Sequence, residues 1–220
     1  GLGVAGVPTA HAEDRALLIG VGKYRMESAN LPGIDLDIGM MKEVAEGLGF
    51  KPAAIKVVMD QEATLDGVRA AFKQWLIEGT SPTDRVLIYY SGHGTQLPDT
   101  SGDEEDGLDE ALTLHDLGRV QRDGKTTLGG VLIDDEIAEI LAKIPSQHVL
   151  MLIDACHSGT ATRSLALGSQ RLGVADGAAK VFRDPLVRAT RSAGLKPTTR
   201  ETRSNNYIAI SAAADTEQSI

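Results

Sequence analysis

A single cysteine, Cys156, occurs in 220 residues. It cannot close an internal disulfide, and it offers none of the clustered thiolates that a structural zinc site uses. Aromatic residues make up only 4% of the chain, and lysine plus arginine number 22 against 31 acids, for a formal charge of -9. No stripe of aromatic and basic side chains appears, and the charge removes long-range attraction to phosphate, so nucleic acid is not an expected partner. No apolar run approaches the ~20 residues that carry a helix across a bilayer. What is present is a 42% hydrophobic composition, sufficient at this length for one sizeable core and one domain.

Gly1 to Ala12 is small and apolar and finishes in Ala10-His11-Ala12, a small-x-small pattern of the kind signal peptidases cut, just before Glu13-Asp14-Arg15. It is read as the end of an export signal, giving a periplasmic or secreted protein. The rival reading is a flexible arm on a cytoplasmic one. Residues 13–220 are then the domain.

Short apolar runs alternate with helical patterns. Arg15 to Val21 is expected to be a strand, and Met41, Val44, Ala45 and Leu48 mark a helix up to Gly49. Ile55 to Met59 gives a second strand. After Thr64 as N-cap, Leu65, Val68, Phe72, Trp75 and Leu76 repeat with helical period until Gly79. Arg85 to Tyr90 and His148 to Ile153 read as buried strands, with a helix between them carrying Ile137, Ile140, Leu141 and Ile144, begun by Asp134-Asp135 and stopped by Pro145. Tyr207 to Ser211 is a last strand. This α/β alternation predicts a three-layer sandwich, a mostly parallel sheet with helices on both faces and chemistry at the carboxyl ends of its strands. The acidic stretch Asp99 to Asp116 and the polar stretch Thr160 to Asn206 depart from it.

Two strand ends carry candidate chemistry. One runs into Ser91-Gly92-His93-Gly94 and the other into Asp154-Ala155-Cys156-His157-Ser158-Gly159. Side-by-side parallel strands bring such ends together. A thiol ionises little at neutral pH, and a nearby imidazole raises its thiolate fraction and later protonates a leaving amine. Glycines let backbone turn tightly and approach a substrate. From the residues alone, Cys156 remains open to a packed core role and His93 to a structural or metal-binding one.

Tyr90-Ser91-Gly92-His93-Gly94-Thr95-Gln96 and Asp154-Ala155-Cys156-His157-Ser158-Gly159 closely resemble the two signature blocks of metacaspases, within the wider caspase-like clan of cysteine peptidases. The resemblance runs from Arg15 to the C-terminus. It implies a caspase-like fold in which Cys156 attacks the scissile carbonyl, His93 is general acid and base, and the backbone N–H groups of Gly94 and Cys156 form the oxyanion hole. His157 is motif scaffolding. No cofactor is required for that chemistry. The same resemblance implies cleavage after Arg or Lys in peptide or protein substrates, through a pocket in which Asp37, Ser91 and Asp154 align with family positions. Carboxylates there pair with a guanidinium or ammonium. Ile34 stands where many relatives have a cysteine. Asp37 and Asp154 also admit structural readings, as a helix first-turn acid and a strand cap.

Many metacaspases need calcium, and their site resembles Asp109, Asp134 and Asp135 here, while a fourth family carboxylate aligns with Arg163. A cation in place of an acid costs affinity unless Asp103, Glu104, Glu105 or Asp106 compensates. The eight acids between Asp99 and Asp116 otherwise form a solvated loop. Residues 160–206 carry nine basic residues against three acids, an exposed linker that also offers self-cleavage sites to such an enzyme, among them Arg163, Arg171, Lys180, Arg183, Arg188 and Arg191. A monomer is expected. The competing readings are a catalytically silent caspase-like binding module and a gingipain-like or legumain-like enzyme with a differently lined pocket. Family domains continue with at least one more strand beyond Tyr207 to Ser211, so a C-terminal part is expected to be lacking.

Overall fold

The computed structural model describes residues 13–98, 108–122, 124–156 and 207–212. The expected export-signal remnant, the acids Asp103 to Asp106, and the basic stretch 160–206 with Arg163 and the other self-cleavage candidates lie outside them. Seven strands form one sheet: β1 (Arg15–Gly20), β2 (Ile55–Met59), β3 (Arg85–Pro98), β4 (Leu108–Arg122), β5 (Lys125–Ile133), β6 (His148–Cys156) and β7 (Tyr207–Ala212). Five of them run parallel in the order β2-β1-β3-β6-β7, while β3 continues past this layer and pairs antiparallel with β4, which pairs antiparallel with β5.

Alternation along the strands sends apolar side chains to both faces, and helices cover each face. On one face Ala16, Leu18, Leu87 and Tyr89 pack with Ile34, Ile38 and Ala45 of α1 (Ile34–Gly47). On the other, Leu17, Ile19, Val86, Ile88 and Tyr90 share a core with α2 (Leu65–Ala71), its continuation Phe72–Ile77, and α3 (Asp134–Leu141). This is the expected three-layer caspase-like sandwich. Among the described residues no helix is long and apolar enough to cross a membrane.

Thr64 caps α2 as the sequence indicates, its Oγ1 accepting from the Gly67 N–H at 3.1 Å. The helix then widens into a π-helical turn over Phe72–Ile77, and Phe72 and Leu76 are both buried in the core. Trp75 is partly buried and donates its indole N–H to the Ala16 carbonyl at 3.0 Å. At the strand starts, the Asp84 carboxylate accepts from the N–H groups of Glu13 and Ser81, and the Arg85 guanidinium pairs with Asp14 and donates to the Leu48 carbonyl. The end of the sheet opposite the strand carboxyl termini is thus tied by charge-assisted bonds.

One expectation is sharpened and one corrected. Val44 and Leu48, which mark the helix by their spacing, are 49% and 51% exposed, in line with Leu36 and Met40. The sequence holds two apolar ridges at i, i+4 spacing, and the sheet selects Ile34 and Ile38 because Gly20 lets α1 approach closely. A Cβ on Gly20 would stand 2.7 Å from Ile38 Cγ1. The acidic stretch up to Asp116 is also more than a solvated loop. From Leu108 it forms β4, with Asp109 and Glu110 buried, a pairing hidden by charged residues inside the strand. The assignment of α1 is tested by thermal or urea unfolding: Ile38→Ala is expected to cost about 2–4 kcal/mol and Val44→Ala under about 1 kcal/mol.

Candidate active site

The site begins with strand register. β3 and β6 pair in parallel from Arg85↔His148 to His93↔Cys156, so His93 and Cys156 are direct partners at the carboxyl end of the sheet. Adjacent strands lie about 4.8 Å apart, which sets the Cα spacing of such a pair. The two residues singled out in separate motifs, 63 positions apart in the chain, are placed side by side by backbone hydrogen bonding alone.

The imidazole of His93 is buried, with a residue exposure of 4%. Its Nε2 lies 3.0 Å from the Ala29 carbonyl oxygen. A carbonyl only accepts, so Nε2 carries the hydrogen and the basic lone pair of the neutral ring sits on Nδ1. The Tyr24 ring lies against the imidazole at a centroid distance of 5.4 Å. Burial lowers the His93 pKa below its ordinary value, and the Ala29 hydrogen bond opposes this in part by favouring the charged ring. The ring is therefore neutral at neutral pH and competent to accept a proton.

Ala29 and Tyr24 come from the loop after β1, which is fastened at three points. Asp60, at the end of β2 and in the left-handed region with φ of 48°, accepts from the N–H groups of Gly22 and Lys23 at 3.0 and 2.8 Å. The Tyr24 N–H donates to Asn30 Oδ1 at 2.8 Å, and the Arg25 N–H to the His115 carbonyl of β4 at 2.7 Å. Non-glycine residues rarely hold positive φ, and aspartate is among those that tolerate it.

Asp37, Ser91 and Asp154 are brought together as well. Ser91 is the register partner of Asp154, and its hydroxyl donates to Asp37 Oδ2 at 3.0 Å. The Tyr89 hydroxyl lies 3.4 Å from Asp154 Oδ2. Burial and the two carboxylates push the Tyr89 pKa up to about 12, so this phenol stays a neutral donor. Gly94 follows His93 and pairs with Leu112 of β4.

Asp109 and Glu110 on β4 and Asp134 and Asp135 in the first turn of α3 form a negative cluster. Asp134 Oδ1 is buried without a hydrogen-bond partner. Burial first, then the neighbouring Glu110, Asp135 and Asp109, raise the Asp134 pKa to about 7. An orphaned oxygen among hard carboxylate donors fits the chemistry of a calcium ligand set. Among the described residues, however, no three acid, imidazole or thiol groups converge closely enough to enclose an ion. Sequence reasoning missed Glu110, Tyr24, the Ala29 carbonyl, Tyr89 and Thr113. Only the tyrosine pair ahead of Ser91-Gly92-His93 gave any signal of polar groups near the histidine.

A parallel sheet sandwich that delivers a histidine and a cysteine as register partners at its carboxyl edge defines the class. The chain belongs to the caspase-domain family, whose model matches residues 13–220. Among curated relatives, Metacaspase-3 of Arabidopsis thaliana is 37% identical over 164 residues, covering 70% of this chain and 42% of that protein. Metacaspase-1 of Eremothecium gossypii is 35% identical over 157 residues, covering 67% of this chain and 32% of that protein. The chain thus spans well under half the length of either. Of solved structures, protein GSU0716 from Geobacter sulfurreducens is similar with a TM-score of 0.52 and 30% identity, over 72% of this chain and 56% of that one.

The buried, neutral state of His93 is checked by an NMR titration of its ring protons, with a midpoint expected below the ordinary ~6.5. Because the unfolded chain takes up this proton first, the stability associated with the neutral ring is complete above ~6.5 and is lost as pH falls toward the lowered folded value. A control that lacks this one imidazole, His93→Gln, is expected to show a flatter dependence over that window.

Proposed function

We propose that this domain is a cysteine endopeptidase that cleaves after Arg or Lys. The observation that carries the reading is the His93↔Cys156 register pair combined with an imidazole oriented by the Ala29 carbonyl. His93 Nδ1 takes the proton of the Cys156 thiol, and the thiolate attacks the scissile carbonyl carbon. The carbonyl oxygen becomes an oxyanion, met by the backbone N–H groups of Gly94 and Cys156. As the C–N bond breaks, His93 gives its proton to the leaving amine. Water, deprotonated by the same nitrogen, then hydrolyses the thioester and regenerates the thiol.

The basic preference rests on Asp37 and Asp154 around Ser91. Two carboxylates separated by a hydroxyl suit the fork of a guanidinium, and the Tyr89 phenol supports Asp154. In a fluorogenic peptide panel, Arg and Lys substrates are expected to be cleaved and an Asp substrate left intact. Asp154→Asn is expected to lower kcat/KM for the Arg peptide roughly 10- to 100-fold, the worth of one charge-assisted contact. Cys156→Ala abolishes turnover. On incubation the wild type, but not Cys156→Ala, is expected to be trimmed at basic residues among Arg163, Arg171, Lys180, Arg183, Arg188 and Arg191. A preference for Asp, or identical band patterns in both proteins, refutes these assignments.

Calcium is proposed as an activator held by Asp109, Asp134 and Asp135, where the bound ion supplies positive charge to an otherwise self-repelling cluster. Support comes from the orphaned Asp134 oxygen and its raised pKa. A carboxyl whose folded pKa is raised weakens the fold as pH climbs from ~4 to about 7. In EGTA at pH 7.5, Asp134→Asn is therefore expected to be more stable than wild type, by on the order of 1 kcal/mol after allowance for solvent screening. Activity is expected to vanish in EGTA and return with calcium in the wild type, with no calcium response in Asp134→Asn. Turnover unchanged by EGTA removes the metal.

A further inference from the structure

β3 changes neighbours at the histidine. Its pairing with β1 ends at Ser91 and its pairing with β4 begins at Gly94. Between them, on that edge, the buried N–H and carbonyl of His93 are met by side chains rather than by a strand, while the other edge of β3 pairs Gly92 and His93 with Ala155 and Cys156 of β6. Three hydroxyl groups from three different segments fill the gap. The His93 N–H donates to the Tyr24 hydroxyl at 3.0 Å. The Tyr24 hydroxyl lies 3.1 Å from Thr113 Oγ1, and Thr113 Oγ1 donates to the His93 carbonyl at 3.0 Å. The Tyr90 hydroxyl reaches the same carbonyl at 2.7 Å and the Thr113 carbonyl at 2.7 Å.

The direction of this circuit is fixed. The His93 carbonyl only accepts, so Thr113 Oγ1 gives its one hydrogen there and must accept from the Tyr24 hydroxyl, which in turn accepts from the His93 N–H. The loop therefore leaves one residue at its nitrogen and returns to it at its oxygen. All three side chains are buried, Tyr90 and Thr113 completely, so water does not compete for the bonds. Gly92 is part of the same device. A Cβ there would stand 2.5 Å from the Tyr90 hydroxyl and 3.2 Å from that of Tyr24, so any other residue would push the two phenols out of place.

We infer that Tyr24, Thr113 and Tyr90 form a hydroxyl clamp on the His93 peptide and act as positioning residues, holding the imidazole in line with Cys156. The inference rests on the proposed peptidase reading. With the Ala29 carbonyl gripping the ring at Nε2, His93 is held at side chain, nitrogen and carbonyl. The β6 ladder ends at this position, and neither the β1 nor the β4 ladder reaches it. Without the clamp the backbone can shift by tenths of an ångström while the strands remain paired, and an error of that order in a proton-transfer geometry is costly to rate. None of the three hydroxyls lies among the proposed substrate-binding residues Asp37, Ser91 and Asp154, so the effect falls on turnover rather than on binding.

The test uses the full-length protein with Thr113→Val, Thr113→Ser and Tyr24→Phe, each checked for folding by circular dichroism and melting. Two readouts are taken: steady-state cleavage of an arginyl fluorogenic peptide, and the rate at which iodoacetamide alkylates Cys156 as a function of pH, which needs no substrate pocket. Thr113→Val and Tyr24→Phe are expected to lower kcat at least tenfold with KM within twofold, and to slow alkylation at pH 7 in parallel. Thr113→Ser, which keeps the hydroxyl, is expected to restore both within twofold. Retention of kcat and alkylation rate by Thr113→Val overturns the clamp, as does an effect confined to KM or a Thr113→Ser protein as impaired as Thr113→Val. Should Thr113→Val not fold, Tyr24→Phe decides by the same criteria. If wild-type Cys156 alkylates with the profile of an ordinary thiol near ~8.5, the peptidase reading and the clamp both fall. An activated Cys156 indifferent to Thr113 and Tyr24 overturns the clamp alone.

Discussion

Everything at the carboxyl edge of this sheet depends on the parallel register of β3 with β6. Nine consecutive pairs end at His93↔Cys156, and the pair just below, separated by one residue, is Ser91↔Asp154. The same ladder thus sets the spacing of the proposed proton-transfer pair and of the proposed specificity groups. Because side chains alternate with period two, a one-residue slip would move each strand's whole apolar set to the opposite face. The two distinct cores, one under α1 and one under α2 and α3, make that slip prohibitively unfavourable. Burial along the strands therefore stabilises not only the fold but the alignment of two motifs that have no local means of finding each other.

A parallel ladder delivers a histidine to the right row but does not orient its ring. That task falls to segments that meet where β1 stops and β4 starts. The loop after β1 contributes the Ala29 carbonyl and the Tyr24 hydroxyl, Asp60 at the end of β2 fastens that loop, and β4 contributes Thr113. Three chain segments, two by direct contact and one by fastening a loop, serve one residue. The polar groups they bring are the ones a buried strand edge would otherwise lack, so satisfaction of backbone hydrogen bonds and arrangement of the site are achieved by the same contacts.

The parallel layer was legible in the sequence because its strands are apolar on both faces and its helices carry caps and periodicity. Thr64, Ile55 to Met59 and His148 to Ile153 all read correctly. The two motifs, through their resemblance to metacaspase blocks, single out Cys156 and His93, which the register of β3 with β6 makes direct partners. What was not legible depends on tertiary choice. α1 offers two apolar ridges, and only the sheet decides that Ile38 is buried and Val44 is not. β4 hides its strand character behind Asp109 and Glu110, whose burial reflects the cluster they share with Asp134. The groups around His93 could not be read because a backbone carbonyl leaves no mark in sequence, and Tyr24 and Thr113 become relevant only through a fold that brings them within 3.1 Å of each other.

β7 pairs with β6 from Val149↔Tyr207 to Asp154↔Ala212, so residues on either side of the 157–206 stretch are joined twice, once through the covalent chain and once through a ladder. The second connection does not depend on the first. A break anywhere between Cys156 and Tyr207 divides the polypeptide while the six pairs still hold its two pieces in one sheet, with β6 kept between β3 and β7. The architecture is therefore suited to a two-piece existence, in which covalent continuity and structural continuity are separate properties.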